Sequence, residues 1–301
     1  MTDNFRSGLV TLIGRPNTGK STLLNVIIGQ PISIASPKPQ TTRHRLLGIH
    51  TTEHAQLVFV DTPGFHIGEK KAINHYMNKA ALSSLHDVDA VVWLIQAGRW
   101  TEEEDALLTH IKAINCPVIA AVNKIDLLND KLELLPFIEK LNAFYSFVAI
   151  VPLSAKKGDG VEQLVAAITQ QLAIGELLYD ADQITDKSMR FLAAERVREQ
   201  IFHRMQEELP YSIAVEIEQF VEDGALYRIA AVIWVEKDSH KGMVIGKQGQ
   251  QLKDIGRAAR LAMEKLFERK VFLELWVRVK EGWSDDVRAL RSLGYDDNEL
   301  K

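Results

Sequence analysis

Eight residues starting at Gly14, reading Gly14-Arg15-Pro16-Asn17-Thr18-Gly19-Lys20-Ser21, satisfy the spacing GxxxxGK(S/T). Glycines let such a loop curl so that successive backbone N–H groups surround one anion, and a following helix adds its positive end. The motif has this meaning only between a strand and a helix. Here an apolar run at residues 9–13 precedes it and a helical stretch beginning near Lys20 follows. Lys20 is then placed to reach β- and γ-phosphates and the Ser21 hydroxyl to bind Mg²⁺. The rest of the loop, together with Thr22, is expected around the phosphates.

Three further groups of residues fit the same ligand. Asp61-Thr62-Pro63-Gly64 ends the apolar run at 56–60, with Phe65 next. DxxG arises about once per chain by chance, so only its position gives it weight. An acidic residue at a strand's carboxyl end can hold the Mg²⁺ shell while the Gly64 N–H approaches the γ-phosphate. That contact exists only while the γ-phosphate does, which is the basis of a switch. Asn123-Lys124-Ile125-Asp126 follows the run at 118–122. The Asp126 carboxylate can accept from guanine N1–H and the 2-amino group, whereas adenine offers neither donor; buried mismatches of this kind discriminate by about 10⁴ or more. Asn123 is expected to tie this loop to the phosphate loop, and the Lys124 stem to cover the base. Ser154-Ala155-Lys156, after the run at 148–153, supplies a backbone N–H for guanine O6. Thr41-Thr42-Arg43 falls where a first switch loop belongs, with Thr42 as a second Mg²⁺ ligand and Thr41 as its rival.

These residues need a scaffold that brings strand ends together. In the first half, apolar runs at 9–13, 56–60, 90–95, 118–122 and 148–153 alternate with helix-like stretches. That rhythm predicts an α/β domain, a mostly parallel sheet covered by helices on both faces. Only residues 51–55 separate the run at 45–50 from that at 56–60, too few for a helical crossover, so these two form an antiparallel hairpin and the sheet is mixed.

The pattern changes after about Ile174. Residues 175–187 are acidic and weakly periodic, and Ser188 can cap a long helix ending before Pro210. Two strands at 212–221 and 226–236, a helix near 253–267 and a strand at 271–280 complete an α+β domain. The domain limits are set at 1–175, 176–189 for a linker, and 190–301. Gly246-Lys247-Gln248-Gly249 is a GxxG turn that lets a nucleic-acid backbone lie against it. Residues 237–270 hold nine Lys or Arg against four Asp or Glu, a local +5 (nine minus four) in a chain of net −4. Lys253 belongs to this basic stretch, which suits single-stranded RNA.

Composition is that of an ordinary globular protein, 46% hydrophobic and 25% charged over 301 residues. The lone cysteine, Cys116, cannot form an internal disulfide and fits core packing. No apolar run reaches the ~18 residues of a membrane span and no signal segment opens the chain, so a cytoplasmic, monomeric protein is expected, with attachment to a membrane surface left open.

The whole chain resembles the Era-like family of translation-factor-related GTPases. The likeness rests on GRPNTGKST, PQTTRHR, DTPGFH, NKID, SAKKGDG, ITDKSMRF, LPYSIAVEIE, MVIGKQG, LELWVRVK and RSLGY. It implies a GTPase domain followed by a KH-type RNA-binding domain, binding of GTP and GDP, and a role in small-subunit assembly through the 3′ end of small-subunit rRNA. It also implies an association with the inner face of the membrane, and at Asn17 a potassium ion in place of an arginine finger.

Phe65 stands where many regulatory GTPases carry a glutamine that orients water, and it has no polar atom for that task. Slow intrinsic hydrolysis follows, resting on the loop amides, Lys20, Thr42, Gly64 and Asn17; Arg43 and Arg45 are candidate fingers in cis. Two other functions compete. One is a membrane-associated signalling GTPase. The other is an RNA-modifying enzyme, for which the second half offers only the isolated His203 and His240 and no cysteine.

Overall fold

The computed structural model describes residues 4–36, 38, 41–65, 72–85, 87–205 and 209–283. The expectations on Pro39, Gln40 and His66, and on the string at 291–295, lie outside these. The chain divides into two compact units with the main break between Asp186 and Lys187.

The first unit is built on six strands, β1 (Arg6–Ile13), β2 (Leu46–Thr51), β3 (Ala55–Asp61), β4 (Ala90–Gln96), β5 (Val118–Asn123) and β6 (Ala149–Pro152). They lie in the order β2-β3-β1-β4-β5-β6. β2 runs antiparallel to β3, the hairpin that the short connection requires, and every other pairing is parallel. β3 and β5 are buried along their whole length, as a sheet covered by helices demands. Among the described residues, helices α1 (Lys20–Ile28), α2 (Ala72–Ser83, of the first unit from Met77 on), α3 (Glu102–Ile111), α4 (Leu134–Phe144) and α5 (Val161–Gln171) accompany it. Leu107 and Ile111 of α3 and Phe137 and Leu141 of α4 pack on Val91, Trp93, Ile95 and Ala120 of the sheet. α3 starts at a capping box, in which Thr101 and Glu104 bond each other's backbone, and four acidic residues occupy its first turn beside the positive helix end. The parallel strands all point their carboxyl ends one way, so the loops after β1, β3, β5 and β6 gather at one edge.

Part of the segment expected to be a linker is bonded to the sheet of the first unit. Residues 184–186 run along the edge strand β2, with an isolated antiparallel bridge between Gly48 and Thr185. The Ile49 N–H donates to Ile184 O at 2.9 Å, and the Leu47 N–H donates to Asp186 Oδ1 at 2.9 Å. Gln56, buried on β3, accepts from the N–H groups of Leu178 and Tyr179 and donates to Tyr179 O. Acidic composition suggested a tether, but an uncovered edge strand exposes a row of N–H groups, and this segment satisfies them.

The second unit begins with α6 (Met189–Arg204), capped by Ser188, whose hydroxyl accepts from the Phe191 N–H at 3.3 Å. Strands β7 (Ile213–Asp223) and β8 (Leu226–Val235) are antiparallel, with a bulge between Ile217 and Gln219. α7 (Asp238–Ile245) and α8 (Gln250–Phe267) follow, and β9 (Lys270–Val279) returns parallel to β8. Val197 and Ile201 of α6, Ile255, Ala259 and Met263 of α8, and Ile229, Ala231 and Ile233 of β8 make the core. β9 alternates as its sequence predicts: Val271 and Val277 are buried with Leu273, Leu275 and Val279 packed beside them, while Phe272, Glu274, Trp276 and Arg278 are exposed.

Candidate nucleotide-binding site and RNA-facing turn

The loop from β1 to α1 curls through Gly14, Asn17 and Gly19, all with positive φ (154°, 61° and 103°). A Cβ at Gly19 would collide with the Asn123 side-chain nitrogen, so only glycine fits there. Gly64 brings the loop after β3 onto the phosphate loop, where its added Cβ would lie 2.9 Å from Pro16 Cα. The Lys20 amine bends back over the loop and donates to Gly14 O at 2.9 Å and Arg15 O at 3.1 Å. Burial pulls this amine down to about 8, opposed by the Asp61 carboxylate and reinforced by the Arg15 guanidinium.

Asp61 is fully buried. Its Oδ2 accepts from Ser33 Oγ at 2.8 Å, Ser21 Oγ at 3.1 Å and Thr42 Oγ1 at 3.4 Å, while Oδ1 has no partner. Burial raises the Asp61 carboxyl above its ordinary range, with the Ser33 hydroxyl, Lys20, Ser21 and Thr42 pulling the other way. Ser21 Oγ and Thr42 Oγ1 lie 2.8 Å apart. An unpartnered buried carboxylate oxygen beside two hydroxyls is an all-oxygen donor set of the kind Mg²⁺ takes, so these residues fit the ion. Of the two threonines, Thr42 places its hydroxyl in this cluster, and both line the same cavity.

Asn123 links three loops. Its Nδ2 donates to Thr18 O at 2.7 Å, and its Oδ1 accepts from the N–H groups of Lys124 (2.8 Å) and Ala155 (2.9 Å). The Ala155 N–H is therefore already engaged, and a purine oxygen would have to share or displace that bond. Ser154 Oγ donates to Asp126 Oδ1 at 2.6 Å, and this bond, more than any charge nearby, holds the Asp126 carboxyl below its ordinary range. Burial lowers the Lys124 amine.

These groups surround a cavity of about 570 Å³, a size that suits a nucleotide. Of the expected residues, Pro16, Asn17, Gly19, Lys20, Ser21, Thr22, Thr42, Gly64, Asn123, Lys124, Asp126, Ala155 and Lys156 line it. Gly14, Arg15, Thr18, Asp61, Thr62, Pro63, Phe65 and Ser154 stand behind it. Arg15 turns inward to Glu104, Thr62 Oγ1 donates to Leu12 O, and Phe65 is packed in the core with its ring edge-on to His110. Arg43 is 1% exposed, and neither it nor Arg45 lines the cavity. Sequence reading overlooked Ser33. Its backbone N–H and C=O are both held by the Asn25 side chain, which aims its hydroxyl at Asp61. The only available signal was a serine between two isoleucines, Ile32 and Ile34, that are themselves fully buried.

In the second unit, the turn from α7 to α8 carries Gly246, Lys247, Gln248 and Gly249. Gly246 and Gly249 have φ of 72° and 77°, and Gln248 joins them in the left-handed region at 49°. A Cβ at Gly246 would press on Gln251, which lets the backbone turn tightly. Lys247, Gln248 and Lys253 are exposed. Within the basic stretch, Arg260 and Lys270 pair with Glu264 and Arg269 pairs with Glu222. Lys241, Lys247, Lys253 and Arg257 make no ion pair among the described residues, so their charge faces outward. His240 Nδ1 lies 3.3 Å from Ser212 Oγ, and among the described residues no three or more His, Cys, Asp or Glu side chains gather where they could hold a metal ion.

Residues 9–124 match a family model described as 50S ribosome-binding GTPase, and residues 208–284 match a KH domain. The chain is 54% identical over 295 residues to GTPase Era of Xanthomonas campestris, covering 98% of this chain and 99% of that one. It is 53% identical over 289 residues to GTPase Era of Stenotrophomonas maltophilia, covering 96% and 97%. Two crystal structures superpose with a TM-score of 0.93 at 39% identity, over 97% of this chain and 99% of theirs. One is a variant of Aquifex aeolicus Era bound to GDP and AlF₄⁻, and the other is Era with MgGDPNP and nucleotides 1506–1542 of 16S ribosomal RNA.

The Ser33 contact leads to a test. Ser33→Ala removes one of three donors to a carboxylate placed beside the metal ligands, and such outer contacts change metal affinity by about 10-fold or more. The Mg²⁺ concentration giving half-maximal GTP hydrolysis should rise about tenfold, with no change in preference for guanine; titration of Mg²⁺ against both variants measures it.

Proposed function

The chain belongs to the Era family, GTPases that carry a KH domain, and from that premise we propose that it binds the 3′ end of small-subunit (16S) rRNA and acts in assembly of the small ribosomal subunit. The observation that carries this reading is the pairing in one chain of a cavity lined by Lys20, Ser21, Asn123 and Asp126 with an exposed, basic GxxG turn. The chain hydrolyses GTP to GDP and phosphate. Lys20, which rests on Gly14 O and Arg15 O, would turn to the β- and γ-phosphates of a nucleotide in the cavity. Ser21 and Thr42 would hold Mg²⁺ directly, with Asp61 behind them; the ion when bound supplies positive charge to the phosphate oxygens. Asp126 accepts from the guanine base, its orientation fixed by Ser154. Lys124 covers the base plane, and Gly64 brings its N–H to the edge of the phosphate loop. Thr42 and Gly64 lie on loops that a γ-phosphate would hold together, which makes them the moving parts of a switch. We place the protein in the cytoplasm as a monomer, with a peripheral contact to anionic lipid through the same basic stretch.

Neither Phe65, sequestered in the core, nor the buried Arg43 offers a polar group to the cavity, so intrinsic turnover is slow. Asn17, which lines the cavity with a left-handed backbone, would hold a potassium ion that contributes the charge an arginine finger gives elsewhere. Replacing K⁺ by Na⁺ at constant ionic strength should slow GTP hydrolysis at least tenfold, and an equal rate in both salts contradicts the role of Asn17.

The RNA reading is tested with the full chain loaded with a non-hydrolysable GTP analogue. Its affinity for an RNA carrying the 16S 3′-end sequence should exceed that for a scrambled RNA. Lys247→Glu with Lys253→Glu should weaken it at least tenfold through lost phosphate contacts, with a shallower salt dependence. Equal binding of both RNAs, or tighter binding to anionic vesicles than to either, would favour a membrane-associated signalling role instead.

A further inference from the structure

Arg15 opens the phosphate loop yet sends its side chain away from the cavity, and at 6% exposure it is enclosed. A buried guanidinium needs a countercharge and acceptors in the plane of its fork. Both come from distant elements: Nε donates to Glu104 Oε1 at 2.7 Å and Nη2 to Gln96 Oε1 at 3.1 Å. Glu104 is 0% exposed. A capping-box glutamate ordinarily serves its own helix and is content at the surface. This one accepts from Thr101 N–H at 2.9 Å and Thr101 Oγ1 at 2.5 Å through Oε2, and spends Oε1 on Arg15, 89 residues away in sequence. Both oxygens are committed, so the carboxylate has no freedom to rotate.

The main chain of Arg15 shows what this fixes. Its carbonyl accepts from Lys20 Nζ at 3.1 Å and from Thr18 Oγ1 at 3.0 Å. Thr18 in turn offers its own carbonyl to Asn123. The curl of the loop thus hangs between two side chains, Asn123 at the base end and Arg15 at the other. Arg15 itself is held by the first turn of α3.

We propose that Glu104 is a positioning residue for phosphate binding: from α3 it clamps the Arg15 guanidinium and thereby fixes the carbonyl on which Lys20 and Thr18 converge. This rests on the nucleotide reading above. A loop fixed before binding loses less conformational freedom when the ligand arrives, so the clamp shows itself in affinity. It has no bearing on base choice, which is decided at Asp126.

The test is GDP affinity by calorimetry, with Mg²⁺, on the full chain well below its melting temperature. In Glu104→Gln, which keeps the capping hydrogen bonds and removes the charge, and in Arg15→Met, the GDP Kd should rise at least tenfold. The double variant Arg15→Met/Glu104→Met should lose no more than the weaker-binding single, since each single already breaks the same linkage. Preference for GDP over ADP should survive in all three. A folded Glu104→Gln with wild-type GDP affinity, lowered only in melting temperature, would reduce Glu104 to a helix cap and overturn the proposal, as would losses that simply add in the double. Should Glu104→Gln fail to fold, the double variant strands no buried charge and still lacks the clamp; at least tenfold weaker GDP binding supports the proposal and wild-type affinity refutes it. A wild-type chain that did not bind GDP would instead sink the nucleotide reading itself.

Discussion

Three loops leave the carboxyl ends of β1, β5 and β6, and one side chain ties them to each other. The side-chain amide of Asn123 makes one donor bond to Thr18 O and two acceptor bonds from Lys124 and Ala155. An amide is suited to this because it carries donor and acceptor on one rigid plane. The distance between the phosphate-binding curl and the guanine-reading carboxylate is thereby set by one buried residue, 2% exposed. Gly19 must be glycine because that amide passes so close to it. On the proposed reading, recognition of base and of phosphate is a single rigid measurement of the ligand, set before it binds.

The metal-facing side is built differently. Asp61 is buried with three hydroxyls around one oxygen and none around the other, an arrangement that is costly unless a cation completes it. Two of those hydroxyls, on Ser21 and Thr42, come from the phosphate loop and the first switch loop. β2 continues from that loop, and its outer edge is bonded by residues 184–186, with Leu47 bonded to Asp186 just before the chain enters the second unit. A rigid base-reading end and a hydroxyl cluster that joins separate loops are what a ligand-gated switch requires.

Much of this was legible in the sequence, for reasons that differ by element. The strands of the first unit could be read because each is a short apolar run, whereas their order in the sheet, β2-β3-β1-β4-β5-β6, could not. The β2–β3 hairpin followed from a connection too short to cross over. β9 was legible from strict alternation. The nucleotide residues were legible because backbone geometry, metal coordination and guanine's donor pattern each restrict residue type at fixed spacing. What stayed hidden depends on contacts far apart in the chain. Glu104 reads as an ordinary helix cap until Arg15 is seen beside it. Ser33 is one serine in an apolar stretch until Asn25 turns it onto Asp61. The acidic segment before Ser188 carries no pattern that betrays its pairing with β2, and Phe65 could be seen to lack a polar atom but not to face the core.

The central claim is that Asp126, held by Ser154 and spaced from the phosphate curl by Asn123, selects guanine. Calorimetric titration of the purified, Mg²⁺-supplied chain with GDP and with ADP measures it directly. Heat and saturable binding are expected with GDP and none at comparable concentrations of ADP; equal affinity for the two, or no binding of either, would contradict selection of guanine by Asp126.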